Sequence, residues 1–265
     1  MVGLGEAGKN IVKLFKPHTS NYKIIIFDEN DGIESKSSVE EYDEQEIRLK
    51  HKGLSKHDEA MLFVCGSGKV AGASLRVLEA LKGFKTTIVY IVPDVEFLSN
   101  REQKRHRAHF GILQEYTRSG VISEMIILDN KKMFEIAGAG TALKYFEKVN
   151  FLIYSTIQNI LYSRHIQPDF GRLHERKDIS SISTIGLGRF PEEEKLLFLL
   201  DNITETCYII NIEEEDLDND ESIIPSCQNI VRENKALERN TSFAIWKSSE
   251  ENNYFSIHYT HFIQE

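Results

Sequence analysis

The chain has 265 residues, of which 41% are hydrophobic and 10% aromatic, enough for one large domain or a main domain with a small appendage. Its formal net charge of −9 argues against general nucleic-acid binding through a basic surface. No apolar run reaches the length of a membrane span, and no signal peptide is expected. Its three cysteines have no metal-ligand spacing, which predicts a reducing, cytoplasmic location and a buried thiol at Cys65.

Three glycines near the start of the chain, Gly3, Gly5 and Gly8, form a G-x-G-x-x-G pattern directly before the apolar-periodic stretch 11–15. Glycine lets the backbone approach a phosphate, and the following helix offers unpaired N–H groups and its positive dipole end. The pattern predicts a strand, a phosphate-binding loop and a helix, with a ligand-free tight turn as the alternative. Only two residues precede Gly3, so either the first strand is very short or the chain starts upstream.

Strand and helix patterns alternate over the first 162 residues. The polar, acidic stretch 29–58 predicts an irregular excursion between two of them. The predicted strands are 22–27, 60–65, 86–92 and 121–128, and the predicted helices are 75–84, 100–118, 132–137 and 141–162. Repeated strand–helix units of this kind imply an α/β fold with a parallel sheet covered by helices on both faces.

The pattern changes in the last hundred residues. Strands are predicted at 179–187, 207–212, 242–247 and 254–262, helices at 191–202 and 226–237, and a solvated acidic loop at 213–220. This mixture predicts a smaller α+β C-terminal domain with mixed or antiparallel strands.

Asp28 ends the second predicted strand, twenty residues after Gly8. An acidic residue at that spacing fits the dinucleotide-binding fingerprint, in which it binds a ribose hydroxyl. An NAD(P)-binding Rossmann oxidoreductase is therefore one candidate. Two observations count against it: a second glycine loop follows the next strand, and no His/Asp or Tyr/Lys pair for hydride chemistry is evident.

The second glycine loop has the sequence Cys65-Gly66-Ser67-Gly68-Lys69-Val70-Ala71-Gly72-Ala73. In placement and spacing it resembles the tubulin/FtsZ signature G-G-G-T-G-T-G, of which it keeps the first, third and seventh glycines. Further segments resemble FtsZ in the same order: Gly3–Asn10, 87–93 with the charged helix that ends at Gly111, 127–131, Asn150 eight residues before Gln158, and Gln167-Pro168-Asp169-Phe170-Gly171-Arg172. The resemblance covers about residues 2–188.

This resemblance implies a tubulin/FtsZ GTPase-like, Rossmann-related fold. Its domains would be a nucleotide-binding domain over 1–163 with the long core helix 141–162, an inter-subunit loop over 164–176 and a reduced C-terminal domain over 177–265. GTP or GDP, with or without Mg²⁺, would bind to Gly3, Gly5, Gly8, Asn10, Gly66, Ser67, Gly68, Lys69 and Asn150. No metal-ligating set is predicted among the protein side chains.

Asp169 is the implied catalytic carboxylate, which one subunit inserts into the nucleotide site of the next. Head-to-tail contact of this heterologous kind gives open filaments, so the implied partners are further copies of the chain or a related filament protein. The alternative for Asp169 is a loop-capping acid, and for Lys69 a solvated loop lysine.

Several positions depart from the family pattern. Lys69-Val70-Ala71 replaces Thr-Gly-Thr, which removes two hydroxyls and adds a branched side chain. Glu6 brings a negative charge near the place for phosphates. Arg172 stands where the family has its second catalytic carboxylate, and a guanidinium is not a base at neutral pH.

The third glycine loop of the family has no counterpart in 29–58, and Phe151 replaces the acid after the base-reading asparagine. We therefore predict a self-associating, filament-type protein with weak GTP/GDP binding and reduced or lost hydrolysis, at most a weak GTPase. The alternatives are the NAD(P)-binding oxidoreductase and an interaction module on a tubulin-like fold that binds no nucleotide.

Overall fold

The structure, a computed structural model, describes residues 1–18, 22–29, 33–36, 41, 47–48, 55, 58–138, 141–249 and 252–265, without the side chains of residues 142 and 143. It divides into two compact units, Met1–Tyr154 and Ser155–Glu265. The functional limits that the sequence suggests, at residues 163 and 176, stay predictions. Most of the predicted excursion 29–58 lies outside the described residues.

The first unit alternates strands with helices. Its described strands are β1 (Val2–Leu4), β2 (Ile25–Phe27), β3 (Glu59–Cys65), β4 (Lys85–Val92) and β5 (Glu124–Asp129). They pair in parallel in the order β2-β1-β3-β4-β5. The helices are α1 (Gly5–Leu14), α2 (Ser74–Ala80), α3 (Asn100–Arg118), α4 (Asn130–Ala137) and the first part of α5 (Ala142–His165).

The central strands of this sheet are buried along almost their whole length. Residues 60–64 of β3, 86–91 of β4 and 124–128 of β5 are buried without interruption, so side chains on both faces of the sheet are covered. Continuous burial is what a parallel sheet between helical layers requires, because the crossover helices pack on its faces. The prediction of a parallel α/β sheet is confirmed.

The second unit contains β6 (Phe170–Arg172), β7 (Ile182–Arg189), β8 (Lys195–Leu196), β9 (Glu205–Glu213), α6 (Glu214–Asn219), α7 (Ile223–Ala236), β10 (Asn240–Ser248) and β11 (Asn253–Thr260). Its sheet has the order β7-β11-β9-β10-β6, and β8 pairs with β7. Strands β9 and β10 are parallel and the other pairs antiparallel. Helix α7 lies in the connection between the parallel strands and buries Ile223 and Cys227 in their core cluster.

Two predictions in this unit are wrong. No helix forms over 191–202, because Lys195 and Leu196 pair with β7 and the Glu194 carboxylate binds Ser256 and, at 3.0 Å, His258. The acidic run 213–220 is not a loop but contains α6, whose first turn holds three acids that favour the positive end of the helix dipole. In the first unit, Cys65 is only partly buried.

Candidate functional site

The first glycine loop brings α1 into close contact with the sheet. A Cβ atom on Gly3 would lie 2.6 Å from the carbonyl oxygen of Gly8 and 2.8 Å from Val12 Cγ2. A Cβ atom on Gly8 would collide with the carbonyl oxygen of Phe63 in β3. Both glycines are therefore required by helix–strand packing, whether or not a ligand binds.

Gly5 begins α1 with a φ of +71°, a conformation that other residues rarely adopt. The N–H groups of the first turn have no partner within the helix, and no described side chain caps this end. An uncapped helix end of this kind supplies the N–H donors and the positive dipole end that suit an anion.

Lys9 links two carboxylates on this side of the site. Its Nζ atom lies 2.7 Å from Glu6 Oε2 and 3.0 Å from Asp28 Oδ2, while the Asn10 amide donates to Glu6 at 3.2 Å. The hydrogen bond from Lys9 lowers the pKa of Glu6, and the same bond raises the pKa of Lys9. Glu6 is thus partly neutralised, and Asp28, which is 8% exposed, is engaged by a cation instead of presenting a free carboxylate to a ribose.

Backbone N–H groups of the second loop donate to carbonyl groups of the loop itself and of β4. The N–H groups of Gly66 and Gly68 donate to the carbonyls of Ile91 and Cys65, both at 2.9 Å. Those of Ala71 and Ala73 donate to Gly68 and Val70, both at 3.0 Å, and form a short 3₁₀ helix over Ala71–Ala73. Four N–H groups of the predicted phosphate loop are therefore already bonded within the protein.

Gly66 sits against a buried aromatic stack. A Cβ atom at this position would collide with the Tyr90 hydroxyl and lie 2.6 Å from His106 Nδ1. Tyr90 and His106 hydrogen-bond at 2.9 Å, and both stack on Phe110. Burial lowers the pKa of His106 to about 4 and that of neighbouring His109 to about 3, so both rings are neutral near pH 7.

Val70 occupies the contact between the two loops. It is 2% exposed, and its Cγ2 atom lies 3.3 Å from the position that a Cβ atom on Gly5 would take. The residue that replaces a signature glycine thus places an apolar side chain where the first loop meets the second.

The other predicted nucleotide ligands of this unit are less tightly constrained. Lys69 is exposed, with its Nζ atom 3.9 Å from Glu29, and its carbonyl accepts a hydrogen bond from Ser35 at 3.1 Å. Ser67 contacts the Cys65 thiol at 3.4 Å, and Asn150 is partly buried on α5. The structure brings the two glycine loops together and leaves the roles of these three residues as predictions.

Asp169 and Arg172 lie in the second unit. The Asp169 carboxylate accepts the backbone N–H of Lys247 at 2.9 Å, and its own N–H donates to Ile245 at 2.9 Å, so Asp169 caps the pairing of β6 with β10. Arg172 ends β6 opposite Phe243 and is exposed. The structural alternative for Asp169, a capping acid, accounts for every contact that the structure gives its carboxylate.

Within the described parts of the chain, no three His, Cys, Asp or Glu side chains are grouped so that they would hold a metal ion. Nor does any helix there combine the length and the apolar character needed to cross a bilayer.

No protein-family model and no curated protein matches the sequence. Solved structures do match the fold. FtsZ from M. jannaschii, solved as an empty dimer, is 13% identical with a TM-score of 0.66 over 98% of this chain and 88% of its own. TubZ from Bacillus thuringiensis serovar israelensis, as a GTPyS-form protofilament, is 14% identical with a TM-score of 0.66 over 99% of this chain and 87% of its own. CetZ from Methanosaeta thermophila strain DSM 6194 is 13% identical, with a TM-score of 0.62 over 98% and 86%.

The chain has a tubulin/FtsZ-like fold. The resemblance predicted from the two glycine loops is thereby confirmed at the level of the fold. At this sequence identity the likeness shows nothing further, so site residues and ligands depend on the geometry of this chain itself.

That geometry suits a nucleotide only in part. The candidate site has the uncapped end of α1, but four N–H groups of its second loop are bonded internally, and Val70 lies between the loops. Sequence reasoning missed Lys9, which partly neutralises Glu6. The three-residue spacing of Glu6 and Lys9 on a helix was the signal that predicts this pair.

Proposed function

We propose that this chain is a tubulin/FtsZ-like self-associating protein of the filament type, with weak GTP or GDP binding and reduced or lost hydrolysis. One observation carries the association: over 98–99% of its length the chain follows the fold of proteins solved as a dimer and as protofilaments.

Weak nucleotide binding follows from the donors that remain. The first turn of α1 supplies N–H groups and a positive dipole end, which suit a phosphate, and Lys69 adds a nearby positive charge. Against these stand the exposed Glu6 and the internally bonded second loop. The balance supports a nucleotide that binds without the full two-sided cradle.

Reduced hydrolysis follows from the second unit. One oxygen of the Asp169 carboxylate accepts a backbone N–H of β10, and Arg172 carries a permanent positive charge where a second carboxylate is expected. With no carboxylate at position 172, at most Asp169 is left to act as a base, so we expect hydrolysis to be reduced or lost.

Self-association and binding are tested on the full chain. Sedimentation velocity over a range of protein concentrations, with GTP, with GDP and without nucleotide, is expected to show species larger than the monomer. Titration calorimetry with GTP and GDP is expected to show weak binding. A chain that stays monomeric in every condition would contradict the proposal of self-association.

Hydrolysis is tested by phosphate release. We expect little turnover, and Asp169→Ala is expected to leave it unchanged, as is Asp178→Ala, a matched change of an exposed acid nearby. Turnover that disappears in Asp169→Ala but not in Asp178→Ala would assign Asp169 a catalytic role and overturn the lost-hydrolysis proposal.

A second candidate is an interaction module on the same fold that binds no nucleotide. Val70 favours it, because an apolar side chain at the contact of the two loops opposes the entry of a charged phosphate. Calorimetry separates the candidates, since this one predicts self-association with no heat from GTP or GDP. Fluorescence of bound NADH tests the dinucleotide alternative, which the Lys9–Asp28 pair disfavours.

A further inference from the structure

The exposed side of α3 carries three cations that we call the basic face: Arg101, Lys104 and Arg107. They follow one another at three-residue spacing, so they are neighbours along the helix surface, and all three are exposed. Within the part of the chain that the structure describes, none of them forms an ion pair or a hydrogen bond through its side chain. The opposite side of α3 is buried through His106, His109, Phe110 and Leu113.

An acidic counterpart exists in the other unit. The stretch 213–221, which contains α6, holds seven acids in nine residues and is hereafter the acidic segment. Glu215, Asp218 and Glu221 are exposed and form no ion pair with any described residue. Three other acids there have internal partners. Glu214 pairs with Lys247 at 2.8 Å, Asp216 accepts from Asn252 at 2.6 Å, and Asp220 accepts from the backbone N–H of Ser222 at 2.8 Å.

The same asymmetry extends over the whole chain. Residues 1–154 contain 22 Lys and Arg against 21 Asp and Glu, whereas residues 155–265 contain 10 against 20, which gives formal charges of +1 and −10. Two copies are therefore repelled when their second units meet but not when the second unit of one meets the first unit of another. Such complementarity orients an encounter and accelerates it.

We propose that the basic face of one copy docks on the acidic segment of a second copy. The inference rests on the proposed self-association and assigns surfaces to it. The contact pairs two different surfaces, so each added copy leaves one of each exposed at the ends and growth continues as an open chain. A nucleic acid is a poorer occupant, because three cations are few and the rest of the protein is acidic.

Charge reversal on each surface tests the proposal. The basic-face variant is Arg101→Glu with Lys104→Glu and Arg107→Glu, and the acidic-segment variant is Glu215→Lys with Asp218→Lys and Glu221→Lys. Each alone is expected to lower the association constant in sedimentation velocity at least about tenfold at low salt, and about 1 M salt, where the screening length is ~3 Å, is expected to weaken the wild type similarly.

Combining the variants gives a sharper result. In an equimolar mixture, the acidic segment of the first variant matches the basic face of the second, and the two reversed surfaces also match each other. The mixture is therefore expected to assemble into chains in which the two variants alternate, although neither variant assembles alone. A chain carrying all six substitutions has both surfaces exchanged and is expected to regain assembly. Circular dichroism checks that each variant is folded. We expect all of them to fold, because the six substituted positions are exposed.

A control variant reverses three exposed cations elsewhere, Lys16→Glu with Lys82→Glu and Arg232→Glu. It changes the net charge as the basic-face variant does and is expected to assemble nearly as the wild type. This inference alone is overturned if the control loses as much association as the basic-face variant, or if the basic-face variant or the acidic-segment variant assembles like the wild type. A wild-type chain that stays monomeric at all concentrations overturns both this inference and the proposed self-association.

Discussion

Replacing Val70 with glycine restores the residue type of the tubulin/FtsZ signature and removes the side chain that joins the two loops. Val70 is 2% exposed and has φ −106° and ψ 13°, a conformation that needs no glycine. The substitution therefore relieves no strain. It deletes three buried carbon atoms, at about 0.8 kcal/mol each plus a term for the cavity, and adds about 1 kcal/mol for the flexibility of glycine in the unfolded chain.

The expected loss of unfolding free energy is about 3–4 kcal/mol for Val70→Gly and about 2 kcal/mol for the control Val70→Ala. At about 2–4 °C per kcal/mol for a chain of this size, Val70→Gly lowers the melting temperature by about 6–16 °C. Urea unfolding and thermal melts measure both variants.

The same substitution opens the contact between the loops to a phosphate. GTP is therefore expected to raise the melting temperature of Val70→Gly by more than that of the wild type, because a ligand stabilises the folded state according to its affinity. Val70→Ala should fall between them. If Val70→Gly is destabilised by less than about 1 kcal/mol, the valine does not hold the loops together. If GTP stabilises all three chains equally, the valine is not what limits binding.

Gly8→Ala is expected to lower the free energy of unfolding in urea by about 3 kcal/mol, because the added Cβ atom collides with the carbonyl oxygen of Phe63. The control Gly111→Ala, which has open space around it on α3, is expected to raise the free energy of unfolding by about 1 kcal/mol. Equal effects of the two substitutions would refute the packing role of Gly8. Burial holds the pKa of His106 at about 4 and that of His109 at about 3, below about 6.5 in the unfolded chain. Below pH 6.5 the unfolded chain therefore binds more protons than the folded chain. Lowering the pH from 7.5 to 5 is expected to reduce the free energy of unfolding by about 2 kcal/mol per histidine. Urea unfolding between pH 7.5 and 5 measures this loss, which His106→Gln should reduce, and NMR titration of the two rings checks it independently; a flat profile would contradict it.

The first unit was largely predictable because its signals are local. The apolar runs 60–65 and 86–92 allow only buried strands, and the three glycines of the first loop define a strand-to-helix turn that the structure contains. The stretch 191–202 was not predictable from its own composition. There the pairing of β8 and the side-chain bonds of Glu194 come from residues about ten and sixty positions away, and they override local helix propensity.

The residues of the candidate site were predictable from the sequence, but the hydrogen bonds that those residues form were not. The sequence identifies Gly66 and Gly68 as loop glycines, but it does not tell that their N–H groups bond to the protein's own carbonyls. It identifies Asp169 by register with a family motif, whereas the backbone N–H of Lys247 that donates to its carboxylate lies 78 residues later. Long-range backbone bonds of this kind leave no local sequence pattern.

The stack of Tyr90, His106 and Phe110 under Gly66 determines how binding at the second loop would be limited. A loop supported by rigid, buried rings is ordered before a ligand arrives, so a ligand would lose little affinity to the entropy of ordering it. What this loop lacks for binding a phosphate is therefore free hydrogen-bond donors, not rigidity. Few substitutions are therefore needed to make such a loop bind a phosphate more tightly. Adding a hydroxyl group to an ordered loop takes one substitution, whereas ordering a mobile loop takes many.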